Sequence, residues 1–161
     1  MIKPHGSDVL LPLLVHDSEK KSTLLAEAAS LHQVKISSAA AANAVMLGAG
    51  YFTPLRGFMN KADAQSVAEN MTTGEGLFWP VPVLNLVDYG SQIEVGSRVA
   101  LLDPNVEGNP VIAIQQVDSV EQFSDDEIKE ICKKIFGTTD LSHPGVATFS
   151  SLGKYAIAGP I

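Results

Sequence analysis

Three apolar runs separated by turn-dense connectors occupy the middle of this chain, and they constrain its fold more than any other feature. The runs cover 77–88, 97–103 and 109–118, and Pro80 and Pro82 lie near the start of the first. The connector DPNVEGNP between the last two is dense in the residues that favour turns. Short strands joined in this way are typical of an antiparallel meander or a small barrel. We therefore expect a β-rich centre.

Helical patterns surround this centre. The clearest covers 125–136, where apolar residues recur with helical spacing, Ser124 and Glu127 can form a capping box, and Gly137 can end the helix. Together with the central strands, this pattern predicts an α+β fold with helices added to a β-rich core.

Three more helices are predicted by their N-cap residues, Asp17, Ser38 and Asn60. The second would cover 39–47, a run rich in alanine, and Gly48 would end it in the left-handed conformation.

The remaining segments are shorter. Residues 9–15 are apolar but contain Pro12, which predicts an edge strand or an extended arm. Residues 34–37 predict a short strand, 137–146 a loop, and 154–161 the beginning of a last strand. Because the sequence stops directly after that strand, we expect 1–161 to be one domain of a longer polypeptide.

Composition excludes several classes of function. The 161 residues suit one domain, and the net charge of −7 with scattered basic residues argues against binding nucleic acid or a membrane surface. No signal peptide and no apolar run of membrane-spanning length is visible. The single cysteine, Cys132, lies at an apolar helix position and predicts a buried, inert thiol. One unpaired thiol suits a reducing cytosol, so a cytoplasmic location is expected.

The stretch LGAGYFTPLRGFMN, residues 47–60, is rich in glycine but does not fit a phosphate-binding loop. A dinucleotide fingerprint opens a helix, whereas Gly48 and Gly50 end one. We expect these two glycines to adopt positive φ. Arg56 could contact an anion or a neighbouring domain, or could be solvated or ion-paired. The residues expected to anchor the loop on the core are Tyr51, Phe52, Leu55, Phe58 and Met59.

No local pattern predicts catalysis or metal binding. The histidines lack the spacing of a helical metal pair, and no nucleophile elbow is present. Asp103 fits an Asx turn, and the acidic residues 125–127 fit the first turn of a helix. We therefore predict no catalytic, no cofactor-binding and no metal-binding residue in this chain. The four histidines are His5, His16, His32 and His143.

Six stretches, in order and across the chain, form a distinctive set: IKPHGSD at 2–8, NAVMLGAGYFTPLRGFMN at 43–60, FWPVPVLNL at 78–86, LLDPNVEGNPV at 101–111, GTTDLSHPGV at 137–146 and AIAGPI at 156–161. Together they resemble the N-terminal domain of bacterial ATP sulfurylase (sulfate adenylyltransferase).

This resemblance implies a PUA-like β-barrel with added helices. It also implies a parent enzyme that joins ATP, bound as Mg-ATP, and sulfate to give adenosine 5′-phosphosulfate and pyrophosphate, or runs in reverse in sulfur oxidation. The implied partners are a catalytic domain of the same polypeptide and further copies of the parent in a homo-oligomer.

The catalytic signature of the resembled family is absent from these 161 residues. The family carries a Gln-x-Arg-Asn-Pro run and a His-x-x-His pair in the following domain, and neither occurs here. No catalytic residue is carried over, and the domain is predicted to be structural and inactive by itself. The alternatives are a PUA-like module that binds RNA, which the acidic charge disfavours, and a structural or interaction module with its own partner.

Overall fold

A computed structural model describes residues 2–90 and 92–161. Within those residues the chain forms five helices and seven strands, which confirms the α+β class. In chain order they are α1 Ser18–Ala28, β1 His32–Lys35, α2 Ser38–Gly48, β2 Gly57–Phe58, α3 Lys61–Asn70, β3 Leu86–Val87, β4 Arg98–Leu102, β5 Val111–Gln116, β6 Ser119–Gln122, α4 Asp125–Phe136, α5 Pro144–Ser150 and β7 Tyr155–Pro160.

One sheet has the order β1-β4-β5. The central strand, β4, pairs parallel to β1 and antiparallel to β5, with Val34 opposite Leu101 and Ala100 opposite Ile114. Strands β4 and β5 were expected from the sequence, and the parallel partner β1 begins two residues earlier than predicted. All of Val99, Ala100 and Leu101 are buried, so this strand forms the centre of the sheet.

The second sheet is organised around β7. Strands β2, β3 and β6 all pair with it in antiparallel fashion. Of the two predicted arrangements, meander or small barrel, the meander of three successive strands is therefore wrong, because the run 77–88 contributes only Leu86–Val87, which pair with β7. Two prolines interrupt the possible ladder earlier in that run, and its apolar residues, such as Val83 and Leu84, are buried in an irregular segment.

The two sheets are joined at β5 and β7. The Gln115 side chain donates from Nε2 to the carbonyl oxygen of Ile157 at 3.0 Å, and the Asp118 amide donates to the carbonyl oxygen of Ala158 at 2.9 Å. These contacts connect the sheets into one core.

The helix caps follow the sequence closely. Helix α4 has the predicted capping box, and Gly137 ends it with φ of 71°. Asn60 caps α3 by accepting from the Asp63 amide. Helix α2 is capped by Ser37 instead of Ser38, one residue from the prediction.

Three local predictions need correction. Gly48 does not end α2 in the left-handed conformation; it lies within the helix, and Gly50 has φ of 80°. Helix α5 occupies part of the predicted loop 137–146, with His143 as its N-cap and Pro144 in its first turn. Tyr51 does not anchor the loop, since it is 74% exposed. The other four predicted anchors are buried or partly buried.

The segment 9–15 is an extended arm, and no strand is assigned there among the described residues. The amides of Leu13 and Leu14 both donate to the carbonyl oxygen of Gly48, at 2.8 and 3.0 Å.

Cys132 is buried as predicted, and burial raises the pKa of its thiol. In the part of the chain that the structure describes, every helix is too short or too polar to cross a membrane.

Candidate functional site

A concave, mostly apolar groove lies between the loop after α2 and the irregular segment before β3. We call it the aromatic groove. It is lined by His5, Asn43, Tyr51, Phe52, Thr53, Phe78, Trp79, Pro80, Val81, Pro82 and Val83.

The first wall of the groove is built by the turn that follows α2. Gly50 supplies the positive φ that lets the chain reverse there. The hydroxyl of Thr53 then donates to the carbonyl oxygen of Gly50 at 2.7 Å and accepts from the Leu11 amide at 3.1 Å. The N-terminal arm passes so close that a Cβ on Gly50 would lie 3.1 Å from the Pro12 nitrogen. The glycine run therefore makes room for the arm.

The second wall is held to the first by aromatic packing and one backbone bond. The rings of Phe52 and Trp79 meet edge to face, with centroids 5.6 Å apart, an arrangement that aromatic pairs prefer. The Met59 amide donates to the carbonyl oxygen of Val83 at 2.8 Å. A ring nitrogen of His5, Nε2, lies 2.8 Å from the Phe78 carbonyl oxygen. These contacts give the groove defined walls.

The chemistry of the groove suits contact with apolar surface. Among the described residues that line it there is no Asp, Glu, Lys or Arg, whereas the whole chain carries a net charge of −7. Among residues 2–90 and 92–161, no group of three or more His, Cys, Asp or Glu side chains is arranged to hold a metal. The groove therefore offers mainly hydrophobic recognition, with His5, Asn43 and Thr53 as polar groups in its lining.

A second cleft lies between α3 and α4, and the charged residues in its lining include Glu69, Glu127 and Lys134, each of which forms an ion pair. Lys61 contacts Glu127 at 2.7 Å, and Lys134 contacts Glu69 at 2.7 Å. The Lys61 ammonium and the Ser124 amide, which both donate to Glu127, lower the pKa of that carboxyl to about 2. This cleft is a structural joint between the two helices.

Arg56, which sequence reasoning singled out, is exposed. Within the described residues its guanidinium has no hydrogen-bond or ion-pair partner, but its carbonyl oxygen accepts from the Ile161 amide at 3.0 Å. Arg56 thus lies beside the last residue of the chain, on the same loop that forms the first wall of the aromatic groove.

One polar pair in the core escaped the sequence analysis. Asn85 and Gln115 are both fully buried, and the Asn85 amide donates from Nδ2 to Gln115 Oε1 at 3.1 Å. The Asn85 side-chain oxygen has no partner within the described residues. The available signal was an amide side chain within an apolar run, in LNLV at 84–87 and in IAIQQV at 112–117.

Comparison with known proteins identifies the fold. A family described as a PUA-like domain matches residues 2–161. The chain belongs to this family. The resemblance stated from the sequence is confirmed at the level of this PUA-like domain.

Proteins named sulfate adenylyltransferase are similar to this PUA-like domain throughout its length. The protein from Allochromatium vinosum is 55% identical over 161 residues, which is all of this chain and 41% of that protein. The protein from Alcanivorax borkumensis is 53% identical over all of this chain and 40% of that protein. The chain therefore spans about two fifths of the length of these relatives.

A solved structure gives a consistent result. The hexameric APS kinase from Thiobacillus denitrificans matches 79% of this chain and 24% of its own, with 29% sequence identity and a TM-score of 0.63. The PUA-like domain is thus similar to one part of a larger, oligomeric protein.

Proposed function

We propose that this PUA-like domain is the N-terminal, non-catalytic domain of a cytoplasmic sulfate adenylyltransferase. The observation that carries the proposal is the pattern of coverage. The alignments, at 53–55% identity, include all 161 residues of this chain but only 40–41% of the length of each relative. The parent enzyme would use Mg-ATP and sulfate, and a catalytic domain in the same polypeptide would bind them.

The distribution of charge supports a non-catalytic role. Adenylyl transfer requires positive groups that neutralise phosphate charge in the transition state. Of the eleven basic residues in the sequence, six pair with carboxylates within the described ranges 2–90 and 92–161. The same pairing weighs against RNA binding, which requires free cations to contact phosphates.

A homo-oligomeric parent is also proposed. The solved relative that supports this is described as hexameric.

An activity comparison tests the proposal. The full polypeptide that contains this domain should form adenosine 5′-phosphosulfate from Mg-ATP and sulfate, and should form ATP in the reverse assay with pyrophosphate. Residues 1–161 alone should show no turnover above a blank, with their folding checked by circular dichroism. Turnover by 1–161 would contradict the non-catalytic role, and an inactive full polypeptide would contradict the proposed enzyme.

A further inference from the structure

We propose that the aromatic groove is covered in the full polypeptide by an apolar segment of the domain that follows Ile161. This inference rests on the proposed function, because it takes the following domain as the occupant. The inference goes beyond the proposed function because it assigns the surface that the two domains share.

Exposure of large apolar side chains is the first argument. Tyr51 is 74% exposed, Phe78 is 55% exposed and Val81 is 50% exposed, and all three line one groove. Contiguous apolar surface of this kind marks a site of contact with another protein surface. Exposed aromatic residues held on rigid walls also provide the anchors that dominate interface energies.

The position of the chain end selects the occupant. Ile161 donates its amide to Arg56, and Pro160 pairs with Gly57. Both Arg56 and Gly57 follow Tyr51, Phe52 and Thr53 on the loop that forms the first wall. Under the proposed function the polypeptide continues beyond Ile161, and it would leave the domain beside this loop of the aromatic groove.

The chemistry of the groove agrees with an apolar occupant. In the part of the chain that the structure describes, its lining includes no Asp, Glu, Lys or Arg, so an ionic segment would lose its hydration without gaining a fully charged partner. A second copy of this domain suits the groove less well, since a two-fold contact would set one concave surface against the same concave surface. A convex apolar element from the neighbouring domain fills such a groove.

Cysteine accessibility in the full polypeptide tests the inference. Val81→Cys places a thiol in the groove, and Val106→Cys is the matched control, because Val106 is also 50% exposed and lies in the turn between β4 and β5. Cys132 is buried and contributes little background, and the unmodified full polypeptide gives the background of all other thiols. Reaction with a maleimide is measured in the native state and again in denaturant.

The expected result is native labelling at Val81→Cys at least about tenfold slower than at Val106→Cys, with equal rates in denaturant. A photoreactive group attached at Val81→Cys should crosslink to a peptide beyond residue 161 without forming a dimer on a denaturing gel. Equal native rates would overturn the inference. So would protection that disappears on dilution, or a crosslink to residues 1–161 of another copy.

The two proposals fail in distinguishable ways. Adenylyl transfer is assayed on the same unlabelled preparation, so an inactive polypeptide with a protected groove would refute the enzyme and keep the docking surface. An active polypeptide with an unprotected groove would refute the docking surface and keep the proposed enzyme.

Discussion

At the scale of single residues, two glycines of the stretch 47–60 have different roles. A Cβ on Gly57 would lie 2.0 Å from the carbonyl oxygen of Gly159, and neither backbone can move away without breaking the pairing of β2 with β7. A Cβ on Gly48 would meet only the Leu14 side chain, at 3.3 Å. The first glycine is required by a close backbone approach, and the second is not.

We therefore expect Gly57→Ala to lower the free energy of unfolding by about 3 kcal/mol or more. The control, Gly48→Ala, should be near neutral, because the gain of about 1 kcal/mol in helix propensity offsets the contact with Leu14. Urea unfolding of both variants measures the difference. Similar urea midpoints for the two variants would show that a Cβ at position 57 can be accommodated without loss of stability.

At the scale of elements, the buried amide pair connects β5 to the segment before β3. Removing one partner leaves the other unsatisfied in the core. We expect Gln115→Met and Asn85→Leu each to lower the free energy of unfolding by about 1–3 kcal/mol. The double variant should lose less than the sum, with a coupling energy of about 0.5–3 kcal/mol measured by a double-mutant cycle. Simple additivity would mean that the two side chains do not act as a unit.

The joint between α3 and α4 predicts a pH dependence. Hydrogen bonds from Lys61 and Ser124 hold the pKa of Glu127 at about 2 in the folded state, below its ordinary value of 4.5. The stabilisation is therefore complete above pH 4.5 and is lost as the pH falls through about 2. Glu127→Gln should flatten this part of the profile of Tm against pH, while Glu107→Gln, in the turn between β4 and β5, should not. An unchanged acid limb in Glu127→Gln would contradict the assignment.

At the scale of the whole molecule, the sequence predicted the helix caps better than the pairing of the strands. The α4 capping box and the Asn60 cap depend on neighbouring residues, so local patterns located them. Strand pairing depends on residues that are distant in the sequence, because β7 pairs with β2, β3 and β6, which come from three parts of the chain. The apolar run 77–88 looked like a strand because burial, not ladder pairing, determines its composition. Likewise, the aromatic groove exists only once 51–53 and 78–83 are brought together, so no single stretch revealed it.

If substrate binding belongs to the catalytic domain alone, the KM values of the full polypeptide should be insensitive to Arg56→Ala. Under the proposed function this exposed arginine lies beside the link to the catalytic domain and contacts no substrate. The KM values for ATP and sulfate should therefore change by less than about twofold. Arg98→Ala is the control, since Arg98 pairs with Glu27 within this domain and its loss should affect stability alone. A large rise in either KM confined to Arg56→Ala would place this loop at the substrate site, because a uniform loss of binding raises KM while leaving kcat unchanged.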